Sequence, residues 1–305
     1  MTILTLFLDG VGLGADDPEH NPFATADTPT LINLTNGLRW LDSTGMQTSE
    51  RAVFIPTDAR LGVAGYPQSG TGQASLLTGL NVPTIIGRHY GPKPEVETRD
   101  IIRQRSFFRR LTASGKSARL LTAYPPRLLA DFDRGKTLRS SIQQAAFESG
   151  EPHFTLEDVL QQRALTAEWT TDSWRRHLRF SHLPQYSPRE AGRLLARLAR
   201  AHDFAFHSHW LTDRIGHRGT LSEGIEILER FDAVLTGVLD ASDDDAGLVI
   251  VTSDHGNMED LSTRRHTLNQ VPTLVIGSRA PEFAHDFKSL IDFVPACDRM
   301  LNDTR

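Results

Sequence analysis

Hydrophobic positions in this chain fall in short, nearly continuous runs that stop abruptly at glycine, aspartate or histidine. Residues 2–8 are apolar and β-prone and end at Asp9-Gly10-Val11-Gly12-Leu13-Gly14, and Gly247-Leu248-Val249-Ile250-Val251 is followed by Thr252-Ser253-Asp254-His255-Gly256-Asn257. Unbroken apolar runs of this length predict strands covered on both faces, the texture of a parallel sheet. Residues 117–123, 204–211 and 271–277 predict further strands. Helical spacing predicts helices over 96–114, 138–149, 187–201 and 221–240, and a terminal helix carrying Phe293 and Cys297. The alternation predicts an α/β fold, a mostly parallel central sheet flanked by helices. From about residue 88 to 186 the pattern breaks into short elements rich in Arg, Pro and aromatic residues, so this span reads as a smaller inserted α+β cap. Residues 1–87 and 187–305 would then form the core.

The polar residues at the strand ends carry the candidate chemistry. Open α/β sheets place their ligands beyond the carboxyl ends of their strands. Asp9 ends the first run, and Asp254 and His255 end the run at 247–251, with His266 shortly after. The run at 204–211 leads into Asp213-x-x-x-His217, a spacing that lets both side chains reach one ion from a turn or first helical turn. Ser69-Gly70-Thr71-Gly72-Gln73 is a polar turn entering a helix. Unpaired N–H groups at such a turn can activate a hydroxyl and stabilise an attached phosphoryl group, so Ser69 and Thr71 are both candidates. The glycines after Asp9 do not open a helix at the third glycine, which argues against a dinucleotide loop. Buried Asp and His are costly unless paired or metal-bound, so six of them at strand ends predict a two-metal site, its ions about 4 Å apart, suited to displacement at phosphorus.

Charge and cysteine usage narrow the setting. A formal net charge of −5 argues against a general nucleic-acid or anionic-membrane binder. The single cysteine, Cys297, excludes an internal disulfide, and the first residues meet Asp9 too soon for a signal-peptide core or membrane span. The expected setting is cytoplasmic, with a small anionic phosphate-containing substrate and no nucleic-acid or membrane partner. Nothing specifies an oligomeric state.

Together these segments resemble the alkaline phosphatase superfamily, in particular the branch of cofactor-independent phosphoglycerate mutase and phosphopentomutase. Asp9-Gly10-Val11-Gly12, Asn21-Pro22-Phe23 with Ala26-Asp27-Thr28-Pro29, Ser69-Gly70-Thr71-Gly72-Gln73 running to Thr78-Gly79, Asp213-x-x-x-His217, Thr252 to Asn257, and His266-Thr267 with Asn269-Gln270-Val271-Pro272 follow that branch's motifs in order. The resemblance implies one divalent ion on Asp213, His217 and His266 and another on Asp9, Ser69, Asp254 and His255. Manganese or zinc is expected, with magnesium possible, and Ser69 is the implied nucleophile and phosphoserine. Gln73 stands where the mutases carry His, and their substrate-holding motifs have no counterpart between 88 and 186. The expected reaction is therefore hydrolysis of a small phosphate mono- or diester. A phosphomutase acting on a phosphosugar or phosphoglycerate is the alternative, and a metal-containing binding protein without turnover is the reading from another class. Thr71, Gln73, Arg88 and Arg127 are the candidate substrate contacts, and other arginines of the insert, such as Arg139 and Arg175, could grip an anion.

Overall fold

The computed structural model describes residues 1–303. Its centre is a seven-stranded sheet built from β1 (Thr2–Leu8), β2 (Gln47–Thr48), β3 (Ala52–Thr57), β4 (Ala118–Leu120), β5 (Phe204–His209), β6 (Gly247–Thr252) and β7 (Val271–Ile276). The strand order is β2-β3-β7-β6-β1-β5-β4. β4, β5, β1 and β6 run parallel, as their apolar runs predict, whereas β7, β3 and β2 continue the sheet antiparallel.

Alternation along the strands divides the core into two layers. Ile3, Phe7, Phe204, Phe206, Leu248 and Ile250 face one side, with the helices Ser69–Thr78, Val96–Arg105, Phe107–Ala113, Ser141–Phe147 and Phe293–Asn302. Leu4, Leu6, Leu8, Ala205, Val249 and Val251 face the other side, under Pro188–Ala199 and Leu221–Ala241. These two helices start where their sequences provide capping boxes, Ser187 with Glu190 and Thr220 with Glu223. The apolar stripe then turns inward, so burial rather than propensity fixes each helix on the sheet. Cys297 is buried in the first layer, and no helix among the described residues is long and apolar enough to cross a membrane.

The 88–186 span differs from a free-standing insert. β4 is hydrogen-bonded into the main sheet, and Ile102, Phe107, Phe108, Ile142 and Ala145 belong to the main core. The helix expected over 96–114 is divided at Ser106, which caps the second half and donates its hydroxyl to the Ala145 carbonyl at 2.6 Å. The strand expected over 117–123 keeps only Ala118–Leu120. Beyond it Thr122 and Ala123 pair instead with Leu165 and Phe154. What stands apart is a small apolar cluster of Ala123, Val159, Ala164, Trp174 and Leu183. The arginine-rich texture of this span comes from its exposed helix faces, while its apolar positions join the common core.

Trp169 ties this flank to β5 by stacking on His209 with ring centroids 4.0 Å apart. Burial lowers the pKa of His207 to about 4 and that of His209 to about 3. Their ordinary value is near 6.5, so the unfolded chain takes up protons that the folded one refuses as pH falls below about 6.5. The stability contributed by neutral burial is complete above that pH and is lost progressively toward pH 4 and below. The expected loss for each histidine is roughly 2 kcal/mol by pH 5. Urea denaturation at pH 7.5 and pH 5 with chelator present measures it. His207→Phe should show a smaller drop than the wild type, and equal drops would contradict the assignment.

Candidate metal centre

β1 lies between β5 and β6, so the carboxyl ends of these three parallel strands adjoin where the chain order reverses. Each delivers polar residues to the same edge. β1 runs into Asp9, and β6 runs into Asp254 and His255. β5 leads to the helix Leu211–Arg218, which carries Asp213 and His217 one turn apart. β7 is antiparallel to β6, so its start lies at this edge, and the segment entering it brings His266. Ser69 is the first residue of its helix, behind Gln68 as the N-cap. Its hydroxyl is therefore not spent on capping and lies 2.9 Å from His255 Nε2.

All seven ligand-type residues expected from the sequence gather here. Donor atoms of Asp213, His217 and His266 lie within 4.8 Å of one another, and so do those of Asp9, Asp213 and His255. Asp213 is a member of both groups, whereas the family resemblance places it with His217 and His266 alone. Asp254 stands beside the second group, its Oδ2 3.6 Å from His255 Nε2.

The histidine contacts test whether these residues suit a metal. His217 Nδ1 faces the Arg264 carbonyl at 3.1 Å, and His266 Nδ1 faces the Pro67 carbonyl at 2.7 Å. A carbonyl only accepts, so both Nδ1 atoms donate, and both Nε2 atoms of the neutral rings carry lone pairs. Those two Nε2 atoms face each other at 3.2 Å. Two lone pairs so placed repel unless a proton or a metal cation lies between them, beside Asp213 Oδ1 at 3.4 and 3.6 Å. A backbone carbonyl behind each ring is also how metal-ligating histidines are commonly oriented.

The carboxylates lead to the same reading. Oδ1 of Asp9 and Oδ2 of Asp254 are buried without a hydrogen-bond partner, which is expensive for a charged group. Burial, reinforced by the charges of Asp254 and Asp213, pushes the Asp9 carboxyl well above the carboxylate range, with His255 opposing the shift. Burial by itself would keep His255 neutral, but Asp254, Asp9 and Asp213 outweigh it and raise its pKa to about 10. The cluster thus demands positive charge. A divalent cation on these oxygen and nitrogen donors fits that demand.

Tight backbone approaches fix the ligands. Gly10 has φ +69°, and a Cβ there would lie 2.8 Å from Asp213 Oδ1. A Cβ on Gly12 would collide with the carboxylate of Glu259. Buried Glu259 accepts from the N–H groups of Gly12 and Asn257 at 2.9 and 2.7 Å, from Asn269 Nδ2 at 3.1 Å and from the Thr267 hydroxyl. It thereby joins the Asp9 loop to both ends of the Asp254–His266 loop. Asn257 Nδ2 donates to Asp213 Oδ1 at 2.7 Å and holds that carboxylate toward the histidines.

Above the centre lies a cavity of about 380 Å³ lined by Asp9, Ser69, Gln73, Lys93, Asp213, Arg214 and a set of aromatic and apolar side chains. Gln73, expected as a substrate contact, is there, with Nε2 donating to Asp9 Oδ2 at 3.2 Å. The other three candidates lie elsewhere. Thr71 is buried and structural, its hydroxyl donating to the Gln68 carbonyl and accepting from the Tyr90 N–H. Arg88 is exposed and paired with Glu95 at 2.7 Å, and Arg127 is exposed outside the cavity lining. The sequence reading passed over Lys93, Arg214, Glu259 and Asn257. Arg214 is adjacent to Asp213, and Asn257 lies within the Asp254 motif, so both had a positional signal. Lys93 sits in an irregular loop and had none. Burial lowers the pKa of Lys93, with the charge of Asp9 opposing.

Residues 184–296 match the family model of the metalloenzyme superfamily. The 2,3-bisphosphoglycerate-independent phosphoglycerate mutase of Methylobacillus flagellatus is 33% identical over 113 residues, 35% of this chain and 22% of that protein. The protein of the same name from Antithamnion sp. is 34% identical over 98 residues, 30% of this chain and 19% of its own length. The match thus spans about a fifth of these curated relatives. Among solved structures, the PH0037 protein from Pyrococcus horikoshii aligns over 100% of this chain and 97% of its own, with TM-score 0.56 and 16% identity. A cold-active alkaline phosphatase from Shewanella sp. aligns over 99% and 100%, with TM-score 0.53 and 12% identity. At these identities the likeness is one of fold.

Proposed function

Starting from a core whose residues 184–296 belong to the metalloenzyme superfamily, we propose that the chain catalyses metal-dependent phosphoryl transfer through a phosphoserine at Ser69. The observation that carries this reading is the pair of facing Nε2 atoms of His217 and His266 at 3.2 Å, beside a serine hydroxyl 2.9 Å from His255. Asp213, His217 and His266 would hold one divalent ion, and Asp9, Ser69, Asp254 and His255 the other, Asp213 being a member of both donor groups. Such ions, manganese or zinc by donor type, supply Lewis-acid stabilisation of the phosphoryl oxygens and of attacking and leaving oxygens.

The side chains account for the remaining steps. Ser69 Oγ gives up its proton to solvent and attacks phosphorus, the bond to the ester oxygen breaks, and the leaving alkoxide takes a proton from water to become the alcohol. The seryl phosphate sits on the first turn of its helix, where the dipole favours negative charge. Water then attacks the same phosphorus and the Oγ–P bond breaks, releasing inorganic phosphate and restoring the hydroxyl. Gln73 holds Asp9, and Lys93 adds positive charge beside it.

Hydrolysis of a small phosphate monoester is the first reading, because the residues of 88–186 bring no arginine into the cavity to hold a departing product for phosphate return. The names of the relatives favour a second, phosphomutase. Phosphorus NMR of products from metal-loaded protein and a panel of phosphate esters separates them. The expected result is accumulation of inorganic phosphate. A positional isomer of the ester without free phosphate would select the mutase, and metal uptake with neither product would favour a binding protein.

A further inference from the structure

The cavity above Ser69 is charged only at its floor and mouth. Among its lining residues the cations are Lys93, near enough to feel the charge of Asp9, and Arg214, exposed at the mouth. The wall between them includes Tyr124, Pro125, Leu128, Trp174 and Trp210, and its polar members Ser140, Gln143 and Ser208 are uncharged. Burial raises the pKa of Tyr124, so this wall stays uncharged at any working pH. Trp210 lines the cavity and leaves 50% of its surface exposed, so its ring can still be covered by a ligand.

Five arginines of 88–186 are engaged elsewhere. Arg88 pairs with Glu95, and Arg163 pairs with Asp158. Arg119 lies over the Phe154 ring at 3.9 Å, and Arg139 lies over Phe147 at 3.9 Å. Arg175 donates to the carbonyls of Ser181 and Leu183. Recognition of a carboxylate close to the transferred phosphate calls for a free bidentate guanidinium at close range; the wall offers none among the described residues, and the one lining arginine, Arg214, stands exposed at the mouth.

We infer that this site takes a phosphate monoester whose body is uncharged, flat and apolar, seated against Trp210, and not one carrying a second anionic group beside the phosphate. The inference rests on the phosphoryl-transfer reading above for the position of the phosphate at Ser69. A volume of about 380 Å³ suits a body of one or two rings.

Non-hydrolysable phosphonates allow a test that needs no turnover. Calorimetric titration of the metal-loaded full chain with benzylphosphonate, ethylphosphonate and phosphonoacetate compares an aromatic, a small and a doubly anionic body on one phosphorus group. Benzylphosphonate should bind about tenfold more tightly than ethylphosphonate, a margin typical of one ring-on-ring contact, and phosphonoacetate no more tightly than ethylphosphonate. Trp210→Ala should reduce the benzyl-over-ethyl preference to near unity, and Trp210→Phe should restore most of it. Preference for phosphonoacetate, or an unchanged benzyl preference in Trp210→Ala, would overturn the inference. Absence of phosphate release from any ester, with the phosphonate preferences intact, would instead count against the phosphoryl-transfer reading alone.

Discussion

Ser69→Ala is expected to lower kcat for phosphate-ester cleavage by about 10⁴-fold or more, the scale seen when a covalent nucleophile is removed from an otherwise intact site. The reason is positional. Ser69 opens a ten-residue helix and presents its hydroxyl to His255 at 2.9 Å, at the floor of the cavity. The residue is nearly buried, and alanine removes one oxygen without disturbing the turn, because the N-cap is Gln68. Folding and most metal binding should therefore survive, since the charged and imidazole donors remain. Steady-state kinetics alongside metal analysis checks both halves. A variant that keeps wild-type kcat would remove Ser69 from the chemistry, and one that loses all metal would recast it as chiefly a ligand.

Asp254→Asn should have the next largest effect, through the metal. Asp254 is completely buried; among the described residues its Oδ2 has no hydrogen-bond partner and its Oδ1 accepts from the Gly10 N–H alone, at 3.4 Å. An amide is the same size but cannot supply the charge, so the affinity of the ion beside Ser69 should fall by at least ~100-fold, with activity falling in parallel. His266→Gln should instead weaken the ion shared with His217, because its Nε2 faces that ring and its other nitrogen is anchored on Pro67. Asp213 touches both donor groups, so Asp213→Asn should weaken both ions. Metal stoichiometry after dialysis, measured for each variant, distinguishes these patterns. Equal loss of both ions from Asp254→Asn and His266→Gln would contradict the division.

Much of this cluster was legible in the sequence because most of its Asp and His residues come shortly after apolar strands, and strand ends are readable from hydrophobic runs. Asp9, Asp254 and His255 needed no more than that. Asp213 and His217 needed only the helical spacing that the fold supplies after β5. What the chain did not disclose depended on contacts made over long distances or on loops. The antiparallel course of β7 and β3 has no local signature, since a buried strand looks the same in either direction. Glu259 reads as one more acid in a polar loop until Gly12, Thr267 and Asn269 close around it. The arginines of 88–186 looked like an anion grip by composition, yet Arg88, Arg103, Arg119, Arg139, Arg163 and Arg175 are engaged by acids, carbonyls and aromatic rings. The cation at the floor of the cavity is Lys93, which composition did not single out.

The most direct test of a phosphoserine at Ser69 is the mass of the peptide containing that residue after metal-loaded protein is mixed with a phosphate ester and quenched in acid. The account predicts that this peptide gains one phosphoryl group during turnover, that the gain disappears when the ester is exhausted, and that chelator or Ser69→Ala prevents it. Steady phosphate release with no phosphoryl group on Ser69 at any time would contradict it.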